Sequence, residues 1–127
     1  MSINHIYPYR VIVAGCRDFT DQSIGFNHIS HALSQVLPCD IQIICGEARG
    51  ADTIGKLWAQ ERNISVVSFP ADWDQYGKSA GYIRNSQMAQ YATHLIAFWD
   101  GHSHGTKHMI DLAKKYSLVI NIRDISK

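Results

Sequence analysis

Short apolar runs alternate with amphipathic stretches along the chain. Five of these runs are rich in β-branched or aromatic residues, which predicts strands that are buried on both faces of a sheet. The predicted strands cover residues 10–14, 41–45, 65–69, 94–99 and 118–122. Apolar residues at helical spacing predict helices over residues 22–37, 51–62, 79–92 and 106–116, and residues 70–78 are predicted to form a loop.

The regular alternation of strand and helix indicates a parallel sheet, because parallel strands need long crossover connections that are usually helical. Right-handed crossovers leave few possible topologies. We predict an α/β fold, a Rossmann-like three-layer sandwich whose five-stranded parallel sheet has the order 3-2-1-4-5 with helices on both faces. The chain has 127 residues, an ordinary size for one domain, and residues 1–127 are predicted to form a single domain.

Composition narrows the class of protein. The apolar fraction is 46%, the charged fraction is 18% and the net charge is +1, so the chain is expected to be soluble and globular. Near-neutral charge and the lack of a Lys/Arg stripe argue against nucleic acid as a partner, and the lack of a long apolar run argues against a membrane. Residues 1–5 lack the pattern of a secretory signal, and the three cysteines lack C-x-x-C spacing, which predicts reduced thiols and a cytoplasmic location.

The predicted topology also predicts where a ligand binds. In an open parallel sheet, ligands bind beyond the carboxyl ends of the strands, at the point where the strand order reverses. Three segments that leave strand ends contain glycine and lead towards a helix, namely residues 15–19, 46–52 and 100–106. Glycine permits close backbone approach, and a helix N-terminus offers free N–H groups and partial positive charge. This combination favours phosphate, although each segment is also compatible with an ordinary strand-to-helix turn.

Several side chains near these turns have both a ligand-binding and a structural interpretation. Arg17 suits a bidentate contact with phosphate, or a structural pair with Asp18 or Asp52. Trp73 suits stacking on a base, or covering the edge of the core. Arg84 can reach back over the crevice, or lie in solvent. No cofactor and no metal is predicted, because the nucleotide and metal motifs with defined spacing are absent.

Five motifs occur in an order that resembles the YspA-like branch of the SLOG superfamily. They are Gly-Cys-Arg-Asp-Phe at 15–19, Gly-x-Ala-x-Gly-Ala-Asp at 46–52, Phe-Pro-Ala-Asp-Trp at 69–73, the Gly-Lys to Met segment at 77–88, and Gly-x-Ser-x-Gly-Thr at 101–106. The resemblance extends over about residues 10–122. It implies a Rossmann-like domain that binds nucleotide-derived ligands and self-associates as a homo-oligomer, with relatives that include LONELY GUY phosphoribohydrolases and DprA-type DNA-processing proteins.

The similarity to LONELY GUY enzymes can be followed residue by residue. Arg84 matches their active-site arginine, and Gly101, Gly105 and Thr106 match their phosphate-binding turn. Their catalytic glutamate corresponds to Met109, which cannot act as an acid or a base. The predicted ligand-binding residues are Gly15, Arg17, Asp18, Gly46, Gly50, Asp52, Asp72, Trp73, Arg84, Asn85, Gly101, Ser103, Gly105 and Thr106.

Two functions from different classes follow. The favoured one is binding, either sensing or sequestration, of a phosphate-bearing nucleotide derivative such as an ADP-ribose-like compound or a nucleoside monophosphate. The alternative is a nucleotide-processing hydrolase that cleaves an N-glycosidic bond, with Arg84 and Asp72 as candidate catalytic residues. A DNA-associated role is suggested only by the similarity to DprA.

Overall fold

The computed structural model describes residues 6–126. Residue 127 lies outside the described part, and so do residues 1–5, to which the predicted absence of a secretory signal refers. Within it, the strands are β1 (Tyr9–Gly15), β2 (Ile41–Cys45), β3 (Ser65–Ser68), β4 (His94–Trp99) and β5 (Val119–Asp124). The α-helices are α1 (Gln22–Ala32), α2 (Ala51–Glu61), α3 (Trp73–Tyr76), α4 (Ala80–Tyr91) and α5 (His104–Lys115). Single 3-10 turns cover Pro38–Asp40 and Gly77–Ser79.

The five strands form one parallel sheet in the order β3-β2-β1-β4-β5. The predicted fold class and strand order are therefore confirmed. Ile12 of β1 lies opposite Ile44 of β2 on one side and opposite Leu95 of β4 on the other. The strand order reverses between β1 and β4, so the segments that follow these two strands border a crevice at the carboxyl edge of the sheet.

Each face of the sheet carries its own core layer, because successive side chains of a strand point to opposite faces. Val13 and Phe98 belong to the layer that includes Ile29 of α1 and Trp58 of α2. On the opposite face, a second layer is formed by Ile12, Ala14, Leu95 and Ala97 together with Met88, Ala89, Met109 and Ile110 of α4 and α5. The apolar runs of β1 and β4 are thus explained by burial on both sides.

Most predicted boundaries differ from the structure by one or two residues, and two regions differ by more. Helix α1 ends at Ala32 and not at residue 37, because Leu33 leaves helical geometry with φ −108° and ψ 17° while its N–H still bonds the carbonyl of Ile29. The predicted loop 70–78 contains the short helix α3. Its start is stabilised by the carboxylate of Asp72, which accepts a hydrogen bond from the N–H of Gln75 at 3.1 Å.

The surface carries a few large apolar side chains. Tyr82 is 57% exposed, whereas Trp99 is half-buried and donates its indole N–H to the carbonyl of Ser103 at 3.2 Å. Val119 and Ile122 are exposed on the edge strand β5. Between residues 6 and 126, no helix has both the length and the apolar composition needed to cross a bilayer.

The contact between α2 and β1 leads to a stability prediction. A Cβ atom at Gly55 would lie 2.6 Å from Cβ of Val13, so Gly55→Ala overpacks this contact and should destabilise the fold by about 1–3 kcal/mol. Gly105→Ala is the matched control, because a Cβ atom there meets nothing within 4 Å. Urea denaturation followed by circular dichroism measures both variants. Equal stability of Gly55→Ala and the wild type would contradict the packing argument.

Candidate functional site

Two adjoining cavities lie at the carboxyl edge of the sheet. The larger one, here called the main cleft, has a volume of about 760 Å³ and lies between the turn after β1, the start of α4 and the turn that leads into α5. The smaller one, here called the side pocket, has a volume of about 300 Å³ and extends towards Trp73. Both cavities are lined by Arg17, Ala48, Arg49 and Arg84. These four residues therefore form the junction between the cavities.

Close backbone contact brings the first two turns together. Gly50 has a φ of +77°, and a Cβ atom at this position would overlap the backbone of Cys16 and Arg17. Only glycine fits this geometry without strain. The contact places the turn before α2 against the turn after β1, which aligns one wall of the main cleft. Gly50 itself has this packing role and lines neither cavity.

Asp52 is a buried carboxylate in the first turn of α2, only 7% exposed. It accepts a hydrogen bond from the N–H of Gly46 at 3.1 Å. Burial raises the pKa of Asp52 to about 6, while the nearby Arg84 charge and the N–H groups of Ala48 and Gly46 act in the opposite direction. Asp52 therefore fixes the turn 46–50 from inside, at the cost of a desolvated carboxyl group.

Arg84 of α4 is held at the junction by several groups. Its Nη1 donates to the carbonyl of Gly46, and its Nε donates to Oδ1 of Asn85 at 3.0 Å. Asn85 in turn contacts Nδ1 of His108 through its Nδ2 at 3.2 Å. Because a guanidinium has five N–H donors, these two bonds leave others free to meet a ligand.

The turn into α5 lines the opposite side of the main cleft. The first helical hydrogen bond of α5 runs from the N–H of Lys107 to the carbonyl of Ser103 at 3.1 Å. The N–H groups of the residues between them, including Gly105 and Thr106, have no carbonyl of their own helix to bond. The Ser103 hydroxyl lies 3.2 Å from Sγ of Cys16, which ties this turn to the turn after β1.

The carboxylate of Asp100 shapes the same turn. It accepts hydrogen bonds from the N–H groups of His102 at 2.7 Å and Ser103 at 2.8 Å, and these bonds hold the pKa of Asp100 below its ordinary value. The carboxylate thereby occupies N–H groups that precede the helix. The N–H groups inside the first turn of α5 are left facing the main cleft.

Arg17 and Arg49 have exposed side chains on the rim of both cavities. Among the ion pairs formed within residues 6–126, none involves either arginine. The structural pairing of Arg17 with Asp18 or Asp52, considered as an alternative from the sequence, is not formed. The carboxylate of Glu47 is directed elsewhere, towards Lys56 at 3.4 Å and Ser68 at 2.5 Å.

The predicted site residues divide by position. Those that line the main cleft are Gly15, Arg17, Asp18, Asp52, Arg84, Asn85, Ser103, Gly105 and Thr106. Gly46 and Trp73 line the side pocket, together with Arg17 and Arg84. The remaining three line neither cavity: Gly50 packs against the first turn, Asp72 caps α3, and Gly101 forms the tip of its turn with a φ of +87°.

Some lining residues were not predicted from the sequence. Arg49 lines both cavities, and its position in the glycine-bearing turn 46–52 is the signal that could have indicated it. His108, which contacts Asn85 but lines neither cavity, was not singled out from the sequence either. In the described part of the chain, no three His, Cys, Asp or Glu side chains approach closely enough to hold a metal ion.

The fold and these cavities define a small Rossmann-like α/β domain with an open crevice where its strand order reverses. Residues 9–76 match the sequence model of the YspA, cpYpsA-related SLOG family, YAcAr. The chain is also 34% identical over 122 residues to Gene 61 protein of Mycobacterium phage D29, covering 91% of this chain and 97% of that protein. The chain therefore belongs to the YspA, cpYpsA-related SLOG family, which confirms the resemblance seen in its motifs.

Two solved structures share the fold. DNA processing protein A (DprA) of Streptococcus pneumoniae has a TM-score of 0.70 and 17% identity, covering 91% of this chain and 50% of that one. DNA processing protein A of Helicobacter pylori, described for its single-stranded DNA binding mode, has a TM-score of 0.67 and 19% identity, covering 91% and 65%. This chain thus spans half to two thirds of those proteins.

The prediction against nucleic acid as a partner is wrong. It was based on the net charge of +1 and the absence of a basic stripe. A protein with this fold, from Helicobacter pylori, is described as binding single-stranded DNA. Net charge was the wrong quantity to use, because it sums the charges over the whole surface, whereas phosphate contacts depend on local clusters of positive charge. Arg17, Arg49 and Arg84 form such a cluster at the junction.

The buried carboxyl group of Asp52 makes stability depend on pH. Its pKa is about 6 in the folded protein and near its ordinary value of 3.8 in the unfolded chain, so the folded state binds this proton more tightly. This contribution to the free energy of unfolding is present below about pH 4 and is lost as the pH rises to 6, by on the order of 2–3 kcal/mol.

Asp52→Asn keeps a hydrogen-bond acceptor for Gly46 but does not titrate. We expect the stability of the wild type relative to Asp52→Asn to decrease between pH 4 and pH 6.5, as measured by urea denaturation at each pH. Because the two proteins share all other acidic groups, the contributions of those groups to the pH dependence cancel in this comparison. Parallel pH profiles of the two proteins would show that burial does not raise this pKa.

Proposed function

We propose that the junction between the main cleft and the side pocket binds the phosphate of a nucleotide-derived small molecule. The observation that supports this is the presence of three arginines, Arg17, Arg49 and Arg84, in the lining that the two cavities share. Like charges brought together are unfavourable unless an anion offsets them. Asp52 lies beside Arg84, whereas no ion pair within residues 6–126 engages Arg17 or Arg49, so the charges of these two arginines are available to an anion.

The phosphate also meets the start of α5 in this proposal. The free N–H groups in the first turn, near Gly105 and Thr106, add directed donors and the partial positive charge of a helix N-terminus. Thr106 is buried and lines the main cleft. A phosphate bound here accepts hydrogen bonds from backbone and guanidinium donors at the same time.

The base of the ligand fits the side pocket. Trp73 is 57% exposed there, and Pro70 and Ala71 supply further apolar surface. An aromatic side chain that is exposed beside an anion site suits stacking on a base, which is worth roughly 1–3 kcal/mol. ADP-ribose-like compounds and nucleoside monophosphates combine a base with phosphate and are the ligands to be tested first.

Binding without turnover is favoured over hydrolysis. Met109 occupies the position of the LONELY GUY catalytic glutamate, is 1% exposed and has no ionisable group. Asp72, the other candidate catalytic residue, caps α3 outside both cavities. Recovery of unchanged ligand after incubation supports sensing or sequestration, whereas release of free base supports the hydrolase alternative.

Single-stranded DNA is the second candidate ligand. The observation that favours it is the likeness to the Helicobacter pylori protein described for its single-stranded DNA binding mode. The arginines that line the side pocket beside the exposed Trp73 are also suited to a phosphodiester backbone with stacked bases.

Self-association, which the family resemblance implies, stays a further part of the proposal and can be measured by sedimentation.

The first binding prediction concerns Arg84. Isothermal titration calorimetry with AMP and ADP-ribose should show binding, and the corresponding nucleosides without phosphate should bind at least tenfold more weakly. Arg84→Gln should weaken binding of the phosphate compounds by about ten- to a hundredfold, because it removes a charge-assisted donor. Lys114→Gln is the matched control, since it removes one positive charge at the far end of α5. Equal losses in both variants would contradict a local phosphate site.

The second binding prediction concerns DNA. If the guanidinium cluster is the shared site, a single-stranded oligonucleotide should bind more weakly as salt rises and should be displaced by the tightest nucleotide of the panel. Fluorescence anisotropy with a labelled oligonucleotide measures both effects. Simultaneous binding of oligonucleotide and nucleotide would show that the two use different surfaces.

A further inference from the structure

The guanidinium of Arg84 ends a line of hydrogen bonds that begins outside both cavities. Its Nε donates to Oδ1 of Asn85 at 3.0 Å, and Nδ2 of Asn85 lies 3.2 Å from Nδ1 of His108. Asn85 follows Arg84 on α4, whereas His108 belongs to α5. His108 lines neither cavity, so it can affect a ligand bound there only through Asn85 and Arg84.

Donor and acceptor chemistry fixes the direction of this line. A guanidinium has donors only, so Asn85 must present its oxygen to Arg84. The amide nitrogen of Asn85 must then face His108 as a donor, which requires Nδ1 of His108 to be an unprotonated acceptor. The three groups are therefore compatible only when His108 is neutral with its proton on Nε2.

The ring of His108 is also held in place. The ring of Tyr82 meets it edge to face, with a centroid distance of 4.6 Å and an interplanar angle of 87°. Tyr82 and Asn85 both belong to α4, so both of these contacts to the imidazole come from that helix. A fixed ring gives Nδ1 a fixed direction, which the amide of Asn85 follows.

We propose that His108 is a positioning residue for Arg84: its unprotonated Nδ1 holds the amide of Asn85, and this amide holds the guanidinium at the junction. Protonation of His108 turns Nδ1 from an acceptor into a donor, so that two donors face each other and the amide is released. Arg84 then loses one of its two hydrogen-bonded anchors and keeps the carbonyl of Gly46. The proposal depends on the proposed function only in treating Arg84 as a ligand contact.

The surroundings of His108 favour the neutral form. Burial lowers the pKa of His108, and Asp111, one turn later on α5, acts in the opposite direction. Asp111 is engaged by Lys107 at 2.8 Å, and His104 lies one turn earlier on the same helix. From α4, the groups that meet the ring are the phenol of Tyr82 and the neutral amide of Asn85.

The first test needs no ligand. In NMR spectra at pH 7.5, His108 should be the Nε2–H tautomer, and the Nε–H signal of Arg84 should be protected from exchange. On lowering the pH, this Arg84 signal should change with the midpoint of the His108 titration. Because Asp52 titrates beside Arg84 with a pKa of about 6, the titration is repeated in Asp52→Asn. Either of two results overturns the proposal: His108 is the Nδ1–H tautomer, or the Arg84 Nε–H signal does not change with the midpoint of the His108 titration.

Variants supply the second test. His108→Leu removes the acceptor and should expose the Arg84 Nε–H signal, whereas His108→Gln, whose side-chain oxygen can accept, should restore it without titrating. His31→Leu is the control, because His31 is exposed on α1. An effect of His108→Leu that His108→Gln does not relieve would mean that bulk, and not the acceptor, matters, which would overturn the positioning role.

The third test uses AMP as the ligand probe. His108→Leu should weaken AMP binding about three- to tenfold, the range expected for one hydrogen bond, and should have no further effect in an Asn85→Leu background. Additive losses in the double variant overturn the relay through Asn85. If wild-type protein binds no AMP while the NMR tests hold, the relay stands and the proposed function fails for this ligand.

Discussion

The carboxylate of Asp52 is the group on which the geometry of the carboxyl edge depends. It is buried at the start of α2, bonds the N–H of Gly46 and lies beside the guanidinium of Arg84. One side chain thereby connects the turn after β2, the first turn of α2 and the helix α4. Desolvation makes this connection costly, as the raised pKa of Asp52 indicates, and the hydrogen bond from Arg84 to the carbonyl of Gly46 reinforces it.

The topology was predictable because burial on both faces leaves an unambiguous pattern. Runs such as residues 95–99 are continuously apolar, and parallel strands joined by helices allow few arrangements. The edge of the sheet that carries the two cavities follows from that topology alone. Boundaries were less predictable, since the end of α1 and the start of α3 depend on single turns and on the cap at Asp72.

The contacts within the site could not be predicted in the same way. Asn85 and His108 are separated by 23 residues, and no periodicity links them. The role of Gly50 was also hidden, because the sequence shows a glycine in a turn but not the backbone of Cys16 that it must approach. Sequence pattern reports which face of an element is buried, whereas these contacts depend on how two elements are placed in three dimensions.

Charge gives the clearest contrast between whole-chain and local properties. The net charge of +1 describes a nearly neutral surface, but three arginines share one boundary between two cavities. Asp52 lies beside Arg84 of this cluster, and it lowers the local positive potential when it is ionised. The anchor that builds the site therefore also opposes anion binding. Burial relieves this conflict only as the pH falls towards 6 and below, because the raised pKa lets Asp52 become neutral there, and a neutral Asp52 leaves the guanidinium of Arg84 to the ligand.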